Sequence, residues 1–204
     1  MDPADDVELR PGFGRLLTYG TWAVCAAAVV TTAWADPVQG LRVAAPAALV
    51  SLVVWALFGR PAVLVTPAGV ELRNVLRTVE LPWPTIQLVD TRFALTLHTA
   101  YGVYAAWAAP APGRSAALRA GPGDVAQVPG SARGAGGSVR PGDLPDSPSG
   151  EAALVVRRRW EQLHDAGHLD DPRLEREHPR VHWHVRTLAA LAVLSALSWL
   201  ALSA

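Results

Sequence analysis

Three stretches of this chain carry no charge over a length that fits the hydrocarbon of a bilayer, and the rest of the sequence must be built around them. Between Arg15 and Asp36 runs LLTYGTWAVCAAAVVTTAWA. A helix of roughly 20 apolar residues is what crosses about 30 Å of hydrocarbon. A second run, VAAPAALVSLVVWALFG, lies between Arg42 and Arg60, with Pro46 expected in its first helical turn, where a missing N–H costs little. A third, TLAALAVLSALSWLALSA, follows Arg186 and continues to Ala204. A soluble protein can bury an all-apolar helix, but three of them in 204 residues leave too little polar chain to cover them. The sequence therefore predicts a transmembrane helical hairpin over residues 16–59, with spans at about 16–35 and 43–59, and a C-terminal transmembrane helix over 187–204.

The arginines set the orientation. Arg10 and Arg15 precede the first run, Arg60, Arg73 and Arg77 follow the second, and Arg173, Arg176, Arg180 and Arg186 precede the third, whereas the loop ADPVQGLR holds only Arg42. The N-terminal tail 1–15, the soluble middle and a linker at 169–186 are accordingly expected in the cytoplasm of a multi-pass plasma-membrane protein. Ala33-Trp34-Ala35 after an apolar core also has the form of a signal-peptide cleavage site, and cleavage there would leave the middle cytoplasmic. Lys+Arg and Asp+Glu balance at 18 each, which excludes the basic excess of a nucleic-acid binder. The single cysteine, Cys25, excludes an intrachain disulfide, a CxxC pair and a cysteine zinc site.

From Ala62 the pattern turns from continuous apolarity to alternation. AVLVT, the turn Pro67-Ala68-Gly69, and Val70 and Leu72 alternating with Glu71 and Arg73 predict a β-hairpin. After Asn74-Val75-Leu76-Arg77, Val79, Leu81 and Trp83 alternate with Thr78 and Glu80 until Pro82 and Pro84 end the strand. Further strands are expected in IQLVD, FALTLHT and VYAAWA, with a turn at Tyr101-Gly102. Residues from about 109 to 149 are rich in Pro, Gly, Ser and Ala without periodicity, and read as a disordered insertion. A helix then follows, with Ser149 as N-cap, Glu151 in the first turn, Ala153, Val156, Trp160 and Leu163 on one face, Arg157 and Glu161 paired on the exposed side, and Gly167 at its end. Antiparallel strands followed by one amphipathic helix predict an α+β unit over residues 60–168, a curved sheet plugged by a C-terminal helix, with Trp83 and Trp160 as core anchors.

The pieces Gly69-Val70, Leu72-Arg73-Asn74, Arg77-Thr78, Leu81-Pro82-Trp83, Ile86 and Val89 occur in an order that resembles the signature of the bacterial PH-like domain of the low molecular weight protein antigen 6 family of actinobacteria. The resemblance implies a pleckstrin-homology-like split barrel on an N-terminal membrane hairpin, in a family without an established activity. The long Pro/Gly-rich insertion and the third apolar run depart from that pattern.

Chemistry is sparse. In a phosphoinositide-binding PH domain, Lys and Arg around the first hairpin hold phosphates, because several oxygens need charge-assisted donors. Here that loop is Thr66-Pro67-Ala68-Gly69, without a cation. Arg73, Asn74 and Arg77 at the next turn are the candidate contacts for an anionic lipid headgroup or a protein partner. His164 and His168, and the group His178, His182 and His184, lack carboxylates at a catalytic or metal-binding spacing. No phosphate loop, nucleophile elbow, zinc-protease motif or paired-carboxylate arrangement is present, so no catalytic residue, metal or cofactor is implied. The reading that follows is a non-enzymatic, membrane-anchored PH-like interaction module at the cytoplasmic face of the plasma membrane. Its partners would be the lipid bilayer and a protein, and not nucleic acid. The alternative is a structural subunit of a membrane complex assembled through its helices.

Overall fold

The computed structural model describes residues 6–113, 141–144, 147–167, 169 and 177–203. They fall into two units, one comprising Met1–Arg10, Ala62–Asn74 and Thr78–His182, the other Pro11–Pro61, Val75–Arg77 and Trp183–Ala204.

The first unit is built of two antiparallel sheets. One has the order β1-β2-β3-β4-β8, from β1 (Val7–Leu9), β2 (Ala62–Val65), β3 (Gly69–Arg73), β4 (Arg77–Pro82) and β8 (Arg180–Trp183). The other, β5-β6-β7, comprises β5 (Ile86–Asp90), β6 (Ala94–Thr99) and β7 (Gly102–Pro110). Alternation places Val63, Val65, Val70, Leu72, Val79 and Leu81 inward from the first sheet and Leu95, Leu97, Ala106 and Ala108 from the second. Helix α3 (Pro148–Asp165) closes this core with Ala152, Ala153 and Val156, so the α+β split barrel plugged by a helix is the observed architecture. Pro82 ends β4, and Trp83 turns inward to 2% exposure, its indole N–H donating to the Thr66 carbonyl at 3.0 Å. That bond pins the first hairpin. Gly69 is required there, since a Cβ would come within 2.2 Å of the Leu81 carbonyl oxygen.

Several local expectations change. Val7–Leu9, inside the stretch read as a tail, forms a strand that pairs with Val63–Val65. Arg180–Trp183, inside the expected linker, forms β8. Most of the expected insertion lies outside the described residues, but its ends are structured: β7 runs to Pro110, Pro141–Asp143 forms a 3-10 turn, and Ser147 rather than Ser149 caps α3, accepting from the Gly150 N–H at 3.0 Å. Ser149 is buried and donates instead to the Gly142 carbonyl at 2.8 Å. The capping competition is decided by the fold of the preceding turn, which the sequence window does not contain.

The second unit is helical. α1 (Gly12–Ala35), α2 (Pro37–Val54, prolonged by a π-helical turn at Trp55–Gly59) and α4 (Val185–Ser203) are each long and apolar enough to cross a membrane. α2 packs against both α1 and α4. Asp36 caps α2, its carboxylate accepting from Val38 and Gln39 at 2.8 and 3.4 Å, with Pro37 at the first helical position. The helix therefore begins well before the expected span, and Pro46 lies in its interior rather than its first turn. The hydroxyls of Thr18, Thr21, Thr31, Thr32 and Ser198 each donate to a carbonyl one turn back, which satisfies them without water.

Small residues set how closely α1 and α2 approach. A Cβ on Gly40 would lie 2.4 Å from the Ala33 Cβ, and one on Gly14 would lie 2.2 Å from the Phe58 carbonyl oxygen. Gly20 has nothing within 4 Å of that position. We therefore expect Gly40→Ala to lower the thermal midpoint of the full chain in detergent. Gly20→Ala should leave it unchanged or raise it, since Ala is the better helix former by about 1 kcal/mol.

Candidate functional site

Arg73, Asn74 and Arg77 each make contacts within the protein. Arg73 sits at the end of β3, its Nε donating to Glu71 at 2.7 Å while Nη1 lies 3.9 Å from Glu8. Glu8 also receives Arg10. Arg73 is thus paired with one carboxylate and near a second. Asn74 uses both ends of its amide: Nδ2 donates to the Ala105 carbonyl at 2.9 Å and Oδ1 accepts from the Trp107 N–H at 2.8 Å. It is a clamp between the end of β3 and β7. Arg77 belongs to the helical unit, where its guanidinium lies 5.7 Å above the Trp183 ring.

The histidines are likewise dispersed. His178 meets Tyr101 edge-on at 4.6 Å, His182 lies 3.5 Å from Glu80, and His164 stacks on Trp160 at 5.2 Å. His168 lies outside the described residues. Among the described residues no group of His, Cys, Asp and Glu is placed to hold a metal.

Among the described residues the sheet unit carries two concave surfaces of note. A cleft of about 320 Å³ runs beside the first hairpin, lined by Thr66, Gly69, Val70, Leu81 and Pro82 and by the charged Glu71, Glu80, Glu177 and Arg180. Glu71 and Glu80 are direct cross-strand partners. Three carboxylates to one guanidinium make this rim unfavourable for a phosphate, the reverse of a phosphoinositide site.

The second surface, about 170 Å³, lies between β5 and α3. Ile86, Leu88 and Val89 supply its apolar part, Trp160 its aromatic wall, and Gln87, Arg157 and Glu161 its polar rim. Trp160 is half-buried against the core, is stacked on His164 and also lines this groove, so it is both packing residue and wall. Among the described residues β5 is the edge of its sheet, with β6 as its only neighbour. An edge strand beside an apolar groove offers its unbonded backbone groups to an extended segment; the Val89 carbonyl, which accepts from Arg157 at 3.1 Å, is not one of them.

Arg157 builds this groove. Rather than pairing with Glu161 on a solvated face, it turns inward, donating from Nη1 to Asp143 Oδ1 at 2.8 Å and from Nη2 to the Val89 carbonyl at 3.1 Å. Thr91, fully buried, donates its hydroxyl to the same Asp143 oxygen at 2.8 Å. Gly142 makes this possible, because a Cβ there would lie 1.9 Å from the Thr91 carbonyl oxygen. Sequence reasoning missed Asp143 because Pro141-Gly142-Asp143 lies in a stretch whose composition reads as unstructured. The available signal was the P-G-D turn itself.

Residues 60–142 match the family model for the bacterial PH domain, which supports a bacterial PH-like domain over that stretch, under half of the chain. The match does not single out the narrower antigen 6 family. No curated protein and no solved structure matches the chain.

Removing Asp143 strands the Arg157 guanidinium, whose side chain is 14% exposed, and removing Arg157 strands the Asp143 carboxylate, 2% exposed. Asp143→Ala and Arg157→Met should each destabilise the full chain by about 3–5 kcal/mol, read as a denaturation midpoint in detergent. The double variant Asp143→Ala/Arg157→Met should cost less than the sum of the two, because no uncompensated charge remains.

Proposed function

We propose that this chain is a non-enzymatic, membrane-anchored PH-like interaction module whose soluble unit faces the cytoplasm at the plasma membrane and binds a protein partner. The observation that carries the reading is the groove between β5 and α3. It joins a sheet edge to an apolar floor of Ile86 and Val89 and the half-buried Trp160. Extended peptides bind such edges through main-chain hydrogen bonds, and an aromatic wall adds apolar contact and selectivity. The matched PH-like domain, a fold used in general for binding rather than chemistry, supports the same reading. So do the three apolar helices, which would hold the module at a bilayer. The distribution of arginines around the apolar runs supports the cytoplasmic orientation.

A second reading, a structural subunit held in a complex through its helices, is favoured by the lateral exposure of Leu16, Val24, Trp34, Trp199 and Leu202. The two readings separate in one experiment. A photoreactive residue in place of Gln87 at the groove rim should crosslink one protein in membranes of the native cell. That crosslink should disappear with Trp160→Ala while the chain remains folded and abundant. A helical chain lacking the sheet unit that still retains the same partner would contradict the groove reading and favour the structural subunit.

A further inference from the structure

The helical unit carries few charges, and they are unevenly placed. Its segments hold Arg15, Arg42, Arg60, Arg77 and Arg186 against one carboxylate, Asp36. Asp36 lies at the turn between α1 and α2, where Gly40 meets Ala33, with Arg42 close by in sequence. The other four arginines gather at the opposite end. There Gly14 of α1 abuts Phe58, and Thr18 abuts Gly59, at the close of α2. Arg60 donates from Nη1 to the Thr187 hydroxyl in the first turn of α4 at 2.7 Å and lies 5.4 Å above the Trp55 ring. The loop Val75–Arg77 joins the same end: the His184 N–H donates to the Leu76 carbonyl at 2.9 Å, and Arg77 lies over Trp183. The start of α1, the end of α2 and the start of α4 thus converge with Arg15, Arg60, Arg77 and Arg186 around them. No carboxylate of the helical unit lies at this end.

We propose that this collar of arginines and tryptophans binds the headgroup of an anionic phospholipid from the adjoining leaflet. The inference rests on the reading of the three helices as membrane spans. The chemistry is complementary on three counts. Guanidinium groups are bidentate donors to phosphate oxygens. The N-terminus of α4, with its outward N–H groups, adds a positive partial charge at the same place. Trp55 and Trp183 are amphipathic rings of the kind that settle at headgroup depth, and each holds a guanidinium over its face, fixing Arg60 and Arg77 for binding. Arg15 and Arg186 are exposed, and among the described residues neither makes an ion pair. His184 is held below the ordinary imidazole pKa by burial, against the raising effect of its hydrogen bond to the Val75 carbonyl and with a further lowering by Arg60. The cationic character therefore comes from the arginines.

The test uses the full chain in nanodiscs of phosphatidylcholine carrying either spin-labelled phosphatidylglycerol or spin-labelled phosphatidylcholine. The motionally restricted fraction of each gives its relative association with the protein. The wild type should select phosphatidylglycerol, and Arg15→Gln and Arg186→Gln should each reduce the selectivity about fivefold, from about 1 kcal/mol per surface arginine. Raised salt should weaken it. Arg42→Gln, at the far end, should leave it unchanged. Equal association of the two lipids with the inserted wild type, or selectivity that survives Arg15→Gln/Arg186→Gln, would overturn the headgroup site while leaving the spans intact. Extraction of the chain from vesicles by alkaline carbonate would overturn the spans themselves, and this proposal with them.

Discussion

The sheet unit depends on one buried ion pair. Arg157 reaches from α3 to Asp143, and the same guanidinium holds the carbonyl of Val89 on the edge strand. Asp143 in turn receives Thr91, which follows the end of β5. Three pieces of chain distant in sequence are joined at one carboxylate and one guanidinium: the P-G-D turn, the helix α3, and the outer strand of the smaller sheet with the Thr91 that follows it. Apolar burial of Ala152, Ala153 and Val156 drives α3 onto the barrel without choosing a rotation or register, since hydrophobic contact has no direction. The ion pair does have direction. It orients Arg157, Trp160 and Glu161 toward β5, and so gives the groove its shape.

What the sequence made legible follows from period and length. The three apolar helices announce themselves because no soluble arrangement covers them, and β2 to β4 because Val63, Val65, Val70, Leu72, Val79 and Leu81 alternate with polar neighbours. The residues hidden from that reading are those whose role is set by tertiary partners. Val7–Leu9 is too short for a periodic signal and becomes a strand only because β2 offers an edge. Arg180–Trp183 is exposed on every residue, so no buried face betrays it. Asn74 has the composition of a turn residue and is a turn residue, but its amide is consumed by β7.

The candidate site was the least legible part. Arg73 and Arg77 read from sequence alone as two like cations near a turn, whereas Arg73 faces Glu71 and Glu8 and Arg77 lies on Trp183. The groove residues Ile86, Val89 and Trp160 were all visible as apolar positions. Nothing in a local window distinguishes a tryptophan that fills a core from one that fills half a core and walls a groove. That distinction depends on β5 being the edge of its sheet, a property of strand order. The charge ledger also separates by unit. The sheet unit presents Glu71, Glu80 and Glu177 along its larger cleft, while the helical unit holds five arginines and one aspartate. The net charge of zero for the whole chain conceals this division.

The central claim, that the β5–α3 groove is where a partner binds, is tested most directly by amide hydrogen exchange on the full chain. The comparison is between membranes of the native cell and the protein purified in detergent. Bound partner should slow exchange at Gln87 to Val89 in the native membranes and leave β7 unchanged, because an added strand protects only the edge it pairs with. Identical exchange along β5 in the two preparations, with protection appearing only in the helices, would contradict the account and place the interaction in the membrane.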